Sequence, residues 1–155
     1  MTIQRTCVRL RREQGFSFVE LIIATSVLAI AAIVVLPQFQ RFHARALQAE
    51  AKNNLSQIYT LEQSYYQSHK AFVALAAVGA KGGCPQDNAL GLRLEACSSG
   101  ALRYTYDVTA TAVGFVATAA AASDTIVSDC AMADIWTIDE EKHLQATTDA
   151  VALCR

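Results

Sequence analysis

A single carboxylate, Glu20, lies within an otherwise uncharged and largely apolar segment that runs from Phe16 to Leu36. Gly15 immediately precedes this segment, and Pro37 immediately follows it. An ionised carboxylate in hydrocarbon is strongly destabilised unless it is protonated or paired with a cation. Glu20 is therefore expected to form an ion pair. Without a partner, its side chain would extend to the membrane interface.

The apolar segment is long enough to cross a membrane. Its roughly 21 residues would rise about 30 Å as a helix, which matches the hydrocarbon thickness of a bilayer. Residues 1–15 carry four arginines against one glutamate, so this basic flank is expected to stay in the cytoplasm. A secretory signal has a shorter apolar core that ends at a small-residue cleavage site, so cleavage after Leu36 is disfavoured.

No constellation typical of an enzyme or a metal site accompanies this segment. Asp107 and Ser123 have no matching histidine for hydrolytic catalysis. The histidines are scattered, with no carboxylate or cysteine at ligand spacing; they are His43, His69 and His143. Four acids near the C-terminus lack the alternating oxygen ligands of a calcium loop and predict a solvated turn; they are Asp134, Asp139, Glu140 and Glu141. The sequence therefore predicts neither an enzyme nor a cofactor.

Length and charge limit what the rest of the chain can do. The 155 residues leave room for one further domain of roughly 100 residues beyond the apolar segment. Without the first fifteen residues, nine basic residues remain against thirteen acidic ones. This mildly acidic balance argues against a nucleic-acid surface, so DNA binding is not indicated by charge.

Four cysteines follow the apolar segment, and an even set predicts two disulfides in an oxidising compartment. They are Cys84, Cys97, Cys130 and Cys154. Three pairings are open, of which Cys84 with Cys97 and Cys130 with Cys154 close the shortest loops. Each would contribute roughly 3 kcal/mol if disulfides act by restricting the unfolded chain.

Beyond Leu36 the apolar pattern becomes periodic, with spacings of mostly three and four, which predicts one face of an amphipathic helix. The residues are Phe39, Phe42, Leu47, Ala51, Leu55, Ile58, Leu61 and Tyr65. Residues 37–69 would thus continue the helix of residues 16–36, to about 50 residues and on the order of 75 Å. Pro37 predicts a kink in that helix; alternatively, a second helix starts at Pro37.

Residues 70–155 predict a globular head. Residues 70–101, rich in glycine and alanine, predict an irregular loop, and residues 102–145 predict an antiparallel sheet of three or four strands. The strands are predicted at 102–108, 113–119 and 135–139, with a short fourth at 143–145. Because such a sheet cannot bury its apolar face alone, we expect it to pack on the helix between Leu47 and Tyr65. The predicted fold class is α+β, a long N-terminal helix on a small antiparallel sheet.

In these features the chain resembles the type IV pilins. The resemblance is carried by the basic leader that ends in Gly15, by Phe16 directly after it, by Glu20, by the apolar run and by Pro37. Residues 42–55 are also similar to the start of pilin head domains, and residues 136–139 to their last main strand. The offsets between glycine, aromatic residue, acid and proline are fixed in that family, which makes the signal specific.

The resemblance implies particular roles for these residues. A prepilin peptidase would cut between Gly15 and Phe16 and methylate the new amine of Phe16, and a glycine suits a protease subsite that accepts no side chain. Glu20 of one subunit would pair with the Phe16 terminus of the next and set their axial register, with Pro37 also serving filament assembly. In pilins a disulfide often closes the C-terminal loop, as Cys130 with Cys154 would; Cys84 with Cys97 is less usual.

The resemblance also implies a function, that of a structural subunit of a type IV pilus. The precursor would lie in the inner membrane of a Gram-negative-type envelope, and the assembled homopolymer would lie at the cell surface. Its partners would be prepilin peptidase, the pilus assembly machinery and minor pilins, and it would support adhesion, twitching motility or DNA uptake. A pseudopilin of type II secretion and an anchored periplasmic enzyme or receptor are the alternatives.

Overall fold

The structure, a computed structural model, describes residues 15–81, 83–84, 88–94, 97, 102–128 and 130–154. Apart from Gly15, the predicted leader lies outside the described residues. The chain divides into two compact units, Met1–Pro37 and Gln38–Arg155. One helix, α1, spans Phe18–His69 and contributes to both units.

In the first unit, α1 exposes its apolar surface. The large apolar side chains described between Phe18 and Leu36 are 48–75% exposed. Within the described residues, α1 is the helix long and apolar enough to cross a membrane, with a mean hydropathy of 2.7 over its most apolar window. The hydroxyls of Thr25 and Ser26 bond to carbonyls one turn earlier in the helix, which satisfies them without an outside partner.

The helix continues through Pro37. Because α1 is a single element from Phe18 to His69, the alternative of a second helix starting at Pro37 is wrong. The kink at this proline remains a prediction. In the second unit, the helix is stabilised by burial of one face against the sheet.

The second unit contains a five-stranded antiparallel sheet in which each strand pairs with its neighbours in the chain. The strands are β1 Leu75–Gly79, β2 Thr105–Ala110, β3 Phe115–Ala121, β4 Asp134–Asp139 and β5 Leu144–Thr148. The α+β class is confirmed, but β1 lies within the stretch predicted to be an irregular loop, so the sheet has five strands rather than three or four. A shift of register between Leu75 and Val78 breaks the alternation that would have marked β1.

One face of the sheet forms the core with α1. On β3, buried Phe115, Ala117, Ala119 and Ala121 alternate with more exposed residues, as expected of a strand with one buried face. They share a hydrophobic cluster with residues of α1, among which Ala51, Leu55 and Ile58 are fully buried.

Two residues of the predicted apolar stripe do not face the sheet. Phe39 and Phe42 were placed on this stripe, but they are 68% and 65% exposed. Ala44, Gln48 and Ala51 are the first buried positions of the helix and have the expected spacing. The two phenylalanines therefore lie outside the core of the head.

Two disulfides join the cysteine pairs that close the shortest loops. The Cα atoms of Cys84 and Cys97 lie 5.7 Å apart, and those of Cys130 and Cys154 lie 5.8 Å apart. The second disulfide holds the C-terminal helix α2, Ala150–Leu153, beside the segment that follows β3. Asp149 caps α2 by accepting a hydrogen bond from the backbone N–H of Ala152.

Candidate functional site

The predicted processing site lies in irregular backbone just before α1. Gly15, Phe16 and Ser17 are outside the helix and exposed, and Phe16 is 84% exposed. The carbonyl of Ser17 accepts from the N–H of Leu21 at 3.1 Å, so hydrogen bonding of the helix begins immediately after them. A protease could reach the Gly15–Phe16 bond in an extended conformation.

The described structure does not require a glycine at position 15. Its φ is not in the left-handed region, and an added Cβ would meet no described atom within 4 Å. Glycines fixed by a fold usually occupy a positive φ or a site of close approach. Gly79 is such a glycine, with φ of 118° and the carbonyl of Tyr104 where its Cβ would lie. The reason for Gly15 therefore lies outside the described contacts, which fits a protease subsite.

Glu20 lies in the first turn of α1, where the positive end of the helix dipole favours a carboxylate. Its side chain is exposed and has no hydrogen bond or ion pair within the described part of the chain. The nearby hydroxyls of Thr25 and Ser26 are satisfied within the helix. Glu20 is thus the polar group of this segment that requires an external partner.

Asp134 lies in the core, apart from the other C-terminal acids with which the sequence grouped it. Its carboxylate is fully buried and accepts four hydrogen bonds. The donors are the Tyr104 hydroxyl, the Trp136 indole Nε1 at 2.8 Å, the Gln48 Nε2 at 3.0 Å and the backbone N–H of Ala150 at 2.8 Å. These bonds join β4, α1, α2 and the residue just before β2, which makes Asp134 a structural centre rather than a ligand for calcium.

Burial raises the pKa of two core tyrosines, Tyr104 just before β2 and Tyr106 on β2. For Tyr104, desolvation comes first and the hydrogen bond to Asp134 adds to it. For Tyr106, desolvation raises the pKa to about 12, although a hydrogen bond from the amide of Asn54 opposes the shift. Both phenols therefore stay neutral and serve as hydrogen-bonding partners.

The acids of the β4–β5 turn stabilise that turn. The Asp139 carboxylate accepts from the backbone N–H groups of Glu141 at 3.1 Å and His143 at 2.8 Å. The hydrogen bond from His143 is the largest cause that lowers the pKa of Asp139. The ring Nδ1 of His143 also lies 3.3 Å from the carboxylate. No group of three or more potential metal ligands occurs within the described residues.

The other predicted candidates are dispersed. His43 and Ser123 are exposed, and the ring of His69 stacks on Tyr65 with centroids 4.1 Å apart. Burial raises the pKa of Asp107 on β2. No hydrogen bond joins Asp107 or Ser123 to a histidine within the described ranges.

Sequence reasoning missed a buried acid on α1, Glu62. It is fully buried; its Oε2 accepts from the backbone N–H of Val73 at 3.2 Å, whereas Oε1 has no partner among the described residues. Burial raises the pKa of this carboxyl, and the Val73 bond opposes the shift. Glu62 therefore ties the end of α1 to the segment before β1 at the cost of an unsatisfied oxygen.

The buried Glu62 predicts a pH-dependent stability. Because its folded-state pKa is raised, the folded chain retains a proton that the unfolded chain releases, so stability falls as pH rises from the usual glutamate range through the raised value. We expect the Glu62→Gln variant to lose this fall and to exceed the native chain in unfolding free energy by about 1–3 kcal/mol at about pH 8. Denaturant unfolding at several pH values measures this.

The matched control is Glu50→Gln, a change of the same kind at a partly exposed position of the same helix. It should leave the pH profile of the native chain in place. A Glu62→Gln profile that runs parallel to that of the native chain would contradict the assignment of the buried charge.

Comparison with known proteins bears on the N-terminal segment. A family model described as the prokaryotic N-terminal methylation motif matches residues 10–36. The type IV major pilin protein PilA of Myxococcus xanthus is 40% identical over 55 residues, which are 36% of this chain and 25% of that protein. The aligned region thus spans a quarter of the length of this relative. No solved structure matches the chain.

The matched motif includes the glycine, the following aromatic residue and the acid, at Gly15, Phe16 and Glu20. These are the residues that the structure places in the accessible segment before α1 and in the first turn of α1. The N-terminal segment therefore matches the prokaryotic N-terminal methylation motif, and the chain is similar over 55 residues to a type IV major pilin.

Proposed function

We propose that the chain is a structural subunit of a type IV pilus, and that it has no enzymatic activity. The observation that carries the proposal is the combination of the matched methylation motif with an α1 whose apolar side chains are all exposed between Phe18 and Leu36 wherever they are described. An apolar surface of this size is unstable in water. It fits a bilayer before assembly and the apolar helices of other subunits afterwards.

Cleavage after Gly15 would create the partner that Glu20 lacks. The new amine of Phe16 is cationic and lies four residues from the acid in the chain, at nearly the same membrane depth. In a filament core of low dielectric constant, the Glu20 carboxylate of one subunit would pair with the Phe16 amine of its neighbour. This pairing would fix the axial register of the subunits.

The proposal includes the partners and locations that such a subunit needs. Prepilin peptidase would cut the precursor and methylate Phe16, and an assembly machinery and minor pilins would build the fibre. The precursor would lie in the inner membrane of a Gram-negative-type envelope, and the fibre would lie at the cell surface. Adhesion, twitching motility and DNA uptake are the activities that such a fibre would support.

Intact-mass and N-terminal analysis of sheared surface fibres tests this function. We expect N-methylated Phe16 as the abundant terminus, which would make the chain a major subunit. A trace amount would indicate a minor subunit. Absence of the chain from fibres would refute the proposal and favour a secretion pseudopilin or an anchored domain.

Substitution of Gly15 tests the processing site. We expect the Gly15→Val precursor to insert into the membrane but to remain uncut, with at least a ten-fold loss of the mature form, because the side chain would block the protease subsite. Added valine atoms would not strain the chain itself, since a Cβ at this position meets no described atom within 4 Å. Immunoblotting of membrane fractions distinguishes precursor from mature chain, and normal maturation would refute the assignment.

A further inference from the structure

Just after the membrane segment, α1 carries an exposed cluster of two aromatic and two basic residues, Phe39, Arg41, Phe42 and Arg45, here termed the basic-aromatic collar. Phe39 and Phe42 are 68% and 65% exposed, and both arginines are exposed. No hydrogen bond or ion pair engages either arginine within the described residues. The core of the head does not use this cluster.

The collar lies where the surface of α1 changes from apolar to polar. Ala44, Gln48 and Ala51 face the sheet, so Phe39 and Phe42 lie on another side of the helix. Along that side the next exposed residues are Ala46 and Ala49, which are small, followed by Asn53 and Gln57, which are polar. The run of large exposed apolar side chains thus ends at the two phenylalanines, and the next large apolar residue exposed on α1 is Tyr66.

Along α1 itself, the charged residues of the collar are all basic. Between Glu20 and Glu50 the chain has no acidic residue, whereas Arg41 and Arg45 lie one helical turn apart. Unpaired arginines beside exposed phenylalanine rings match the composition of helix surfaces that bind the membrane interface, where the apolar rings enter the boundary between headgroups and acyl chains and the guanidinium groups bind phosphate.

The spacing also fits an interface. Arg41 and Arg45 follow Leu36 by five and nine residues, which corresponds in a helix to rises of roughly 7 and 13 Å. Helical side chains lean toward the N-terminus, so both guanidinium groups would extend back toward the bilayer. The headgroup layer is about 5–8 Å thick on each side, which both arginines could reach with their long side chains.

We infer that the basic-aromatic collar binds the headgroups of anionic phospholipids on the side of the membrane where the head domain lies. This inference rests on the membrane-inserted precursor of the proposed function but not on fibre formation. Phosphate would pair with Arg41 and Arg45, and the rings of Phe39 and Phe42 would lie at the boundary between headgroups and acyl chains. The collar would thereby hold the precursor at a defined depth before assembly.

The test uses the full chain in vesicles of phosphatidylcholine mixed equally with phosphatidylglycerol. Native mass spectrometry then measures which lipid stays bound when the chain is released. We expect the native chain to retain phosphatidylglycerol preferentially, and the preference to fall about five-fold for each arginine removed in Arg41→Gln/Arg45→Gln. Arg41→Lys/Arg45→Lys should preserve most of it, because the charge remains.

The matched control is Arg93→Gln/Arg103→Gln, which removes the same charge from two exposed positions of the head. The basic leader is unchanged in all variants, so its own lipid contacts cancel in the comparison. An equal loss of preference in the control, or no loss in the collar variant, would overturn the inference. Circular dichroism verifies that each variant is folded.

Fibre yield, measured beside the lipid preference, distinguishes a failure of the lipid inference from a failure of the proposed function. If the collar variant loses fibres but keeps its lipid preference, the surface belongs to a neighbouring subunit and the lipid assignment is wrong. If the native chain shows the lipid preference but never enters fibres, the proposed function fails and the lipid site stands.

Discussion

Replacing Asp134 with alanine is expected to destabilise the head domain by about 4 kcal/mol or more, a large part of the stability of a small domain. The substitution leaves four donors in or beside the core without their acceptor. Each unsatisfied buried donor costs about 1–3 kcal/mol, and bonds to a charged acceptor are the stronger ones. The side-chain donors on Tyr104 and Trp136 cannot reach water without opening the core, since these residues are 1% and 8% exposed.

Urea unfolding of the purified chain, followed by tryptophan fluorescence, measures this loss because Trp136 is the single tryptophan and donates to Asp134. Asp107→Ala, on strand β2 of the same sheet, is the matched control. Burial raises the pKa of Asp107, so loss of that charge should change stability by no more than about 0.5 kcal/mol. Equal midpoints for the two variants would show that the hydrogen bonds of Asp134 do not stabilise the head.

The burial of Asp134 could have been predicted from the sequence if the alternation of strand side chains had been extended by one residue. The sequence predicts a strand at 135–139, and in the structure Trp136 faces the core. Because side chains of a strand alternate, residue 134 would face inward with Trp136 if the strand began one residue earlier, as β4 does. The sequence instead places Asp134 among acids that predict a solvated turn, and its burial was therefore not predicted.

The burial of Glu62 and Gln48 could also have been predicted from the helical period. Both fall on the face defined by Ala44, Ala51 and Leu55, and burial of a polar residue on such a face predicts a partner. What the sequence could not supply is the identity of those partners. Val73 and Asp134 lie 11 and 86 residues away in the chain, and only the tertiary fold brings them to the helix.

Local pattern was sufficient for α1 and four strands and insufficient for β1. The residues of β1 are Leu-Ala-Ala-Val-Gly, in which alanine and glycine have weak strand preference. Pairing with β2 determines this strand, and its register shift removes the period of two. By contrast, the offsets of Gly15, Glu20 and Pro37 are purely local, which is why the candidate processing and assembly residues could be named from sequence.

The second large effect is expected at Glu20. A Glu20→Ala chain should be inserted in the membrane, cut after Gly15 and methylated on Phe16, yet should form no fibres. Loss of one partner from a buried ion pair costs about 3–5 kcal/mol, because the other charge remains buried without compensation. This cost lowers the association constant at each subunit contact by roughly a hundred-fold or more, and the same loss occurs at every contact along the filament.

Two further variants separate the roles of charge and size. Glu20→Gln preserves the shape and a hydrogen-bond acceptor but not the charge, so it should also fail to assemble. Glu50→Ala removes a carboxylate from the same helix in the head and should assemble normally. Electron microscopy and the mass of pelleted mature chain measure the assembly of both variants.

Normal fibres from Glu20→Gln would mean that a hydrogen bond suffices, and normal fibres from Glu20→Ala would mean that apolar packing alone sets the register. Either result would refute the proposed ion pair between Glu20 and the new Phe16 amine, because a cationic terminus buried in the filament core requires a negative partner.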